Sequence, residues 1–265
     1  MKKNIIESQF EKKGYIIFDD TTGLVKDLRK IIVNQIKKSN KKLKKIEDEK
    51  ILNHFHKYVS KKSVNAIRFK IYNSINKVKD IDNIYYSISK NVLDNLIGNE
   101  VAMQKKINLS IQMPNDPDSL LDMHSDIYAG ESPFQLVVWI PLVDAKSTKS
   151  MFITNPQHNK KLNKTVLTTN NLTTRNIYNK NKKLFHFINI KFGQVLVFSP
   201  LILHGNTINN STETRFSLNC RFKSLLSPYD VNVKSHRNIP QFYRPLNTKL
   251  MTKIGFKYLM KYEKN

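Results

Sequence analysis

"GQVLVFSPLILHGNTINNSTETRFSLNCRF" (193–222) holds two strand-like runs joined by a polar turn, and its reading decides the fold. "QVLVFSP" (194–200) and "RFSLNCRF" (215–222) both alternate as short strands do, the first being mainly apolar. Period two places Arg215, Ser217, Asn219 and Arg221 on one face of the second strand and Phe216, Leu218, Cys220 and Phe222 on the other. The apolar face calls for a hydrophobic layer. The polar face puts a guanidinium inside a barrel, where an unpaired charge costs several kcal/mol. No acidic residue neighbours Arg215 on this strand, so a bound ligand could supply the missing carboxylate.

Further alternating runs lie upstream: "INLSIQM" (107–113), "QLVVWIPL" (135–142), "SMFIT" (150–154) and "FHFINI" (185–190). Short strands separated by turn signals predict an antiparallel sandwich or barrel. The first hundred residues differ in texture. Leu28, Ile31, Ile32 and Ile36 recur at helical spacing within a region read as helical from Leu24 to about Val59. A second helical region runs from about Val64 to Ile97, with Gly98 as its stop. "FEKKGYIIF" (10–18) reads as a helix end followed by a small strand. The predicted class is α+β, with a helical layer (1–100), a β core (101–230) and a C-terminal extension (231–265) containing one helix, all in one domain. Residues 155–184 read as a polar Asn/Thr/Lys-rich insertion, a lid or flexible loop.

Composition narrows the function. A hydrophobic share of 40% across 265 residues, with 14 Phe and 11 Tyr, supports a large core. A single cysteine, Cys220, excludes an intrachain disulfide and a thiolate metal cluster. Neither a secretory h-region nor an ~18-residue apolar run occurs, so a cytoplasmic protein without a membrane span is expected. The net charge of +24 invites a nucleic-acid reading. The cations, however, are lysines scattered among Asn and Ile, as in "KKSNKKLKKIEDEK" (37–50 region), and arginine, the usual base reader, is sparse. A small anionic partner fits this charge better than a polynucleotide.

"LLDMHSDIYAGESP" (120–133) places His124 and Asp126 two apart before a Gly/Ser/Pro turn, and His204 follows at the end of a strand. Two imidazoles and one carboxylate form the facial set that holds a non-haem Fe(II) with open positions, whereas a structural zinc normally takes four protein ligands. H-x-D alone equally describes an Asx turn beside a half-buried histidine. His54-x-His56 lies in helical texture, where two residues so spaced face apart.

His124-x-Asp126, His204 and then Arg215-x-Ser217 resemble the Fe(II)/2-oxoglutarate-dependent oxygenase superfamily. "VVWIPLVDAKSTKSMFITNPQH" (137–158) and the opening stretch are similar to its phytanoyl-CoA dioxygenase-like branch. "SPFQLVVWIPLVD", "TKSM" and "NCRFKSLLSPY" carry a likeness to the bacterial oxygenases of sporadic carbohydrate clusters. Asn155-Pro156-Gln157-His158 and Ser150 depart from the branch's usual turn residues. The resemblance implies a double-stranded β-helix (jelly-roll, cupin-like) with flanking helices. It implies Fe(II) on His124, Asp126 and His204, and 2-oxoglutarate gripped by Arg215 and Ser217 with O2 as oxidant. Retention of Asp126 favours hydroxylation, since related halogenases lack that carboxylate.

Further candidates are Gln112 toward the cosubstrate, sharing a strand face with Asn108 and Ser110, and Trp139 lining the cavity. Asn219 and Arg221 are candidates toward substrate. Three of them have a plain structural alternative: solvent-facing alternation for Gln112, core packing for Trp139, an ion pair for Arg221. His158 and Arg175 sit on the insertion, where they meet substrate or water. The function implied is hydroxylation of a small molecule, sugar-linked and of surface-polysaccharide synthesis. The alternatives are an oxygenase acting on nucleic acid or protein, and a non-enzymatic barrel binding metal or sugar.

Overall fold

The computed structural model describes residues 3–168, 173–227, 239 and 241–262. In chain order the elements are α1 (Lys3–Lys13), β1 (Tyr15–Asp19), α2 (Leu24–Ser39), α3 (Asp48–Asn53), α4 (Lys61–Ile75) and α5 (Ile81–Ile97). There follow β2 (Val101–Gln104), β3 (Asn108–Gln112), β4 (Gln135–Pro141), β5 (Met151–Ile153), α6 (Pro156–Thr168) and α7 (Thr174–Lys180). The chain continues through β6 (His186–Phe187), β7 (Gln194–Phe198), β8 (His204–Asn206), β9 (Arg215–Ser224), β10 (Tyr243–Asn247) and α8 (Leu250–Tyr262).

Two antiparallel sheets result. The larger runs β1-β7-β4-β9-β2-β10, with β3 also on β9; the smaller runs β6-β5-β8. Ten-residue β9 is the spine. Along one side it pairs with β3 through Arg215–Asn219 and with β2 through Phe222–Ser224, and along the other with β4.

The two faces of β9 divide as its alternation predicts. Phe216, Leu218, Cys220 and Phe222 are buried in one cluster with Leu28, Ile32 and Ile36 of α2 and Tyr85, Val92 and Leu93 of α5. Burial holds the Cys220 thiol well above its ordinary range, which makes it an inert core residue. Tyr85 reaches from α5 to donate a hydrogen bond to the Val138 carbonyl of β4 at 2.8 Å, pinning helix to sheet. The opposite face of the large sheet looks at the small one. Val137, Trp139, Leu196 and Phe198 pack there against Met151 and Ile153 of β5 and against Ile188 and Ile190.

The helical reading of 24–97 resolves into α2 to α5, and Gly98 follows α5 at φ +85° and ψ 175°, an extended positive-φ conformation that glycine adopts freely. Three expectations differ. Within 155–184 the described residues form α6 and α7 rather than an irregular loop. Asn155 caps α6, its side chain accepting from His158 N at 2.8 Å, and Pro156 takes the first helical position, where a missing N–H costs nothing. The strand read at 185–190 is reduced to His186–Phe187. The tail read as irregular supplies β10, whose register shifts at Pro245 on the sheet edge. Residues 169–172, 228–238, 240 and 263–265, parts of the expected insertion and extension, lie outside the described residues.

Phe222 is fully buried, and its ring lies 6.3 Å from that of Tyr85 and 6.1 Å from that of Tyr86. Phe222→Ala is expected to cost about 3–5 kcal/mol, read from urea unfolding. A loss below about 1 kcal/mol would mean that the helices do not pack on β9 as described.

Candidate metal and cosubstrate site

His124 and His204 lie opposite each other across an antiparallel bridge. Each donates its backbone N–H to the other's carbonyl at 2.9 Å, which extends the small sheet by one residue pair. Side chains of a directly opposed pair emerge on the same face, and the two ring centroids are 4.3 Å apart. Asp126 follows at the start of a short 3₁₀ turn, Asp126–Ala129, its N–H donating to Pro200 O at 3.1 Å. One ligand atom from each of His124, Asp126 and His204 lies within 4.8 Å of the others.

Each imidazole donates Nδ1–H to a carbonyl two residues back: His124 to Asp122 at 2.8 Å and His204 to Ile202 at 2.9 Å. A carbonyl only accepts, so the tautomer is fixed and both Nε2 lone pairs are left for a metal. Burial, reinforced by the neighbouring His124, lowers the His204 pKa to about 4, so the ring is neutral and able to ligate at neutral pH. Burial alone would raise the Asp126 pKa. The charge of Arg221 and the two hydrogen bonds it donates outweigh it and hold the carboxylate ionised, well below its usual range.

Arg221 forks onto Asp126, Nη2 to Oδ1 at 3.0 Å and Nε to Oδ2 at 3.3 Å, and also lies 3.6 Å from Glu131. Of its two sequence-level readings, substrate contact or ion pair, the geometry supplies the ion pair. Tyr243 of β10 closes the network from behind, its hydroxyl bonded to Glu131 at 3.1 Å and to Gln135.

Across the interior stands Arg215, buried, its pKa lowered to about 10 by burial, with no acidic partner among the described residues. Nη2 donates to Ser110 Oγ at 3.3 Å, while Nε and Nη1 are buried without a partner. The guanidinium carbon lies 5.9 Å from the Trp139 ring. Gln112, directly opposite Arg215, donates to Thr207 O at 2.7 Å and leaves its Oε1 orphaned; Ser217 Oγ is orphaned too. Asn219 accepts a hydrogen bond from Asn108 at 2.8 Å. So Asn108, Ser110 and Gln112 face the interior rather than solvent, opposite Asn219, Ser217 and Arg215. Buried polar atoms are normally satisfied, and this concentration of unsatisfied ones marks a ligand site.

A cavity of about 610 Å³ joins the two halves, lined by His204, Arg215, Trp139, Asn219 and Ser110 within, and at its mouth by Arg68, Phe69 and Tyr72 of α4 opposite Asp116, Asp118 and Leu121.

Several positioning residues carried no sequence signal. Asn159 of α6 donates to Leu201 O at 2.9 Å and accepts from Leu203 N at 2.7 Å, bracing the chain that enters His204. Asn206 accepts from Leu121 N at 2.7 Å and donates to Ser119 O at 3.2 Å, holding the approach to His124. Arg175, on the insertion, grips Asp122 at 2.9 and 3.2 Å. His158 contributes its backbone N–H to the α6 cap. His54 closes α3 and His56 lies in the 3₁₀ turn that follows, where its Nδ1 meets Thr214 Oγ1 at 2.9 Å.

No protein-family model and no curated protein sequence matches the chain. Solved structures do. A non-heme monooxygenase, ThoJ, solved as a nickel complex, matches with a TM-score of 0.53 at 14% identity, over 84% of this chain and 79% of that one. SnoK, a non-heme alpha-ketoglutarate-dependent carbocyclase from nogalamycin biosynthesis, matches with a TM-score of 0.57 at 14% identity over 94% and 95% of the two chains. EctD from S. alaskensis, solved with 2-oxoglutarate and 5-hydroxyectoine, matches with a TM-score of 0.55 at 15% identity over 85% and 77%. The class defined is therefore one of fold: the mixed helix and antiparallel-sheet architecture of these non-heme oxygenases. No helix among the described residues is long and apolar enough to cross a membrane.

Gly205 separates His204 from Asn206, and a Cβ there would stand 2.8 Å from Leu121 O and 2.7 Å from the Phe152 ring. Gly205→Ala is expected to push the His124 segment away and weaken Ni(II) or Fe(II) binding about tenfold or more. Arg221→Gln, which frees Asp126 to rotate, is expected to weaken it about 10- to 100-fold. Isothermal titration with Ni(II) reads both, and unchanged affinity in Arg221→Gln would deny the clamp its role.

Proposed function

We propose that this chain is an Fe(II)- and 2-oxoglutarate-dependent dioxygenase that hydroxylates a small molecule. In this reading His124, Asp126 and His204 hold the iron, and the interior of the two-sheet body is a double-stranded β-helix. Residues 1–265 form one oxygenase domain acting in the cytoplasm. The observation that carries the reading is Arg215. A buried guanidinium with two unpartnered nitrogens, beside the orphaned Ser217 hydroxyl, requires an anion, and a planar carboxylate fits its fork.

The residues fit the cofactor pair. Both imidazoles present Nε2, Asp126 is held ionised, and the carboxylate-seeking end lies on the same cavity as His204. Iron and 2-oxoglutarate, when bound, supply oxidation of a substrate C–H bond to an alcohol by O2, with 2-oxoglutarate converted to succinate and CO2. The chain's own contributions are mechanical and electrostatic. Arg215 and Ser217 bind the far carboxylate, and Gln112 and Trp139 wall the cosubstrate. Arg221 keeps Asp126 oriented.

The substrate is read as a carbohydrate or sugar-linked intermediate of surface-polysaccharide synthesis, on the likeness to the carbohydrate-cluster oxygenases of the phytanoyl-CoA dioxygenase-like branch. The cavity mouth supports that class. Phe69 and Tyr72 stack with centroids 6.3 Å apart, a platform for the C–H face of a sugar ring. Arg68 stands on the same mouth, exposed, where a sugar phosphate could meet it. Asn219 lines the cavity and is a further polar contact offered to substrate.

Succinate release from 2-oxoglutarate with Fe(II) in air tests the activity; none, even uncoupled and across nucleotide sugars and lipid-linked sugars, would leave a non-enzymatic metal- or sugar-binding barrel. Arg215→Ala is expected to weaken 2-oxoglutarate binding on the order of a hundredfold or more while Fe(II) affinity stays within about twofold. Equal loss of both would refute the role given to Arg215.

A further inference from the structure

Helix α8, outside this site, has a feature that the core does not explain. Helix α8, LMTKIGFKYLMKY, contains no acidic residue and turns large apolar side chains outward: Leu250 is 72% exposed, Met251 71%, Ile254 49% and Tyr258 61%. At 3.6 residues per turn these four fall within an arc of about 100°. Lys249, Lys253 and Lys257, all exposed, fall within the adjoining arc of about 80°. Thr252 and Phe256, less exposed, lie on the far side, and Phe256 packs against the cluster of Ala102, Leu225 and Tyr243. The helix is therefore anchored by its back, and its start is tied down where Lys249 N donates to the Glu100 carboxylate at 2.7 Å.

Amphipathic helices of a globular domain bury the apolar stripe; here the stripe is presented. We propose that α8 is an interfacial anchor that lays Leu250, Met251, Ile254 and Tyr258 into the surface of an anionic lipid bilayer, with the lysine row against the headgroups. Charge argues for this occupant. A stripe bordered by three lysines, on a chain of net charge +24, is complementary to an anionic surface and repels a second copy of itself. Lysine stems also reach sideways, which lets the ammonium groups stay at headgroup level while the stripe enters the acyl boundary. One helix of this length gives reversible binding.

Flotation of the full chain with vesicles of equal parts phosphatidylglycerol and phosphatidylcholine tests it, against vesicles of phosphatidylcholine alone. Binding is expected to the anionic vesicles, to fall steeply with salt, and to be near absent from the neutral ones. Leu250→Ser with Ile254→Ser keeps every charge and is expected to weaken binding about tenfold or more. Lys253→Gln with Lys257→Gln is expected to weaken it about fivefold per lysine. All four sites are exposed, so melting temperatures should match the parent. The proposal is overturned by no flotation, by equal flotation on neutral vesicles, or by serine variants that bind as well as the parent, which would mean diffuse attraction by the charge alone. It is equally overturned if sedimentation shows a dimer that the serine variants abolish.

Discussion

His124 and His204 are eighty residues apart and yet exchange both of their backbone hydrogen bonds, and the rest of the site is arranged around that bridge. A directly opposed antiparallel pair has no freedom to point its side chains apart, so the backbone itself sets the spacing of the two imidazoles. Each Nδ1 is then committed to a carbonyl two residues upstream, leaving the rings no second tautomer worth adopting. Such a pair tolerates nothing bulky beside it. Glycine at 205 follows from the approach of Leu121 and Phe152, and Asn159 and Asn206 hold the two incoming segments from outside.

Strand β9 is the second organising element, because it does two unrelated jobs with one alternation. Its apolar face fastens the helical layer through Phe216, Leu218 and Phe222, and those helices bring α4 to the cavity mouth. Its polar face delivers Arg215, Ser217, Asn219 and Arg221 to the interior at fixed spacing. A register slip of one residue would exchange the faces, burying four polar groups in the helical core, so the hydrophobic demand of the helices fixes the orientation of the site.

This explains what could be read from the sequence. Period-two and helical patterns report which face meets a core, so the β9 faces and the helices of 24–97 were legible, as were the spacings that put His124, Asp126, His204 and Arg215 forward. Asn159, Asn206 and Gly205 act through backbone atoms distant in sequence, which no periodicity records. Helices α6 and α7 are rich in Asn, Thr and Lys and bury little beyond Leu162 and Ile177, so their apolar signal is faint; the Asn155-Pro156 cap was the sign to follow. Strand β10 was hidden by Pro245, which an edge strand accommodates at its bulge and a central strand could not. Arg221 reads from the sequence as a substrate contact with an ion pair as its alternative, and its fork onto Asp126 supplies the ion pair.

The two arginines of β9 also make sense of each other. Arg221 lies against Asp126 and Glu131, and Arg215 stands alone, so these four side chains sum to zero, with the imbalance at the Arg215 end. A divalent ion on His124, Asp126 and His204 would bring this group of side chains to +2, which low-dielectric surroundings do not tolerate uncompensated. A dianion with one charge near the metal and the other at Arg215 restores neutrality at both ends, and a keto-diacid has that form. A monoanion would satisfy one end and leave the other exposed to its full desolvation cost. The separation of Arg215 from the Arg221–Asp126 pair therefore favours a ligand with two carboxylates, one for each end.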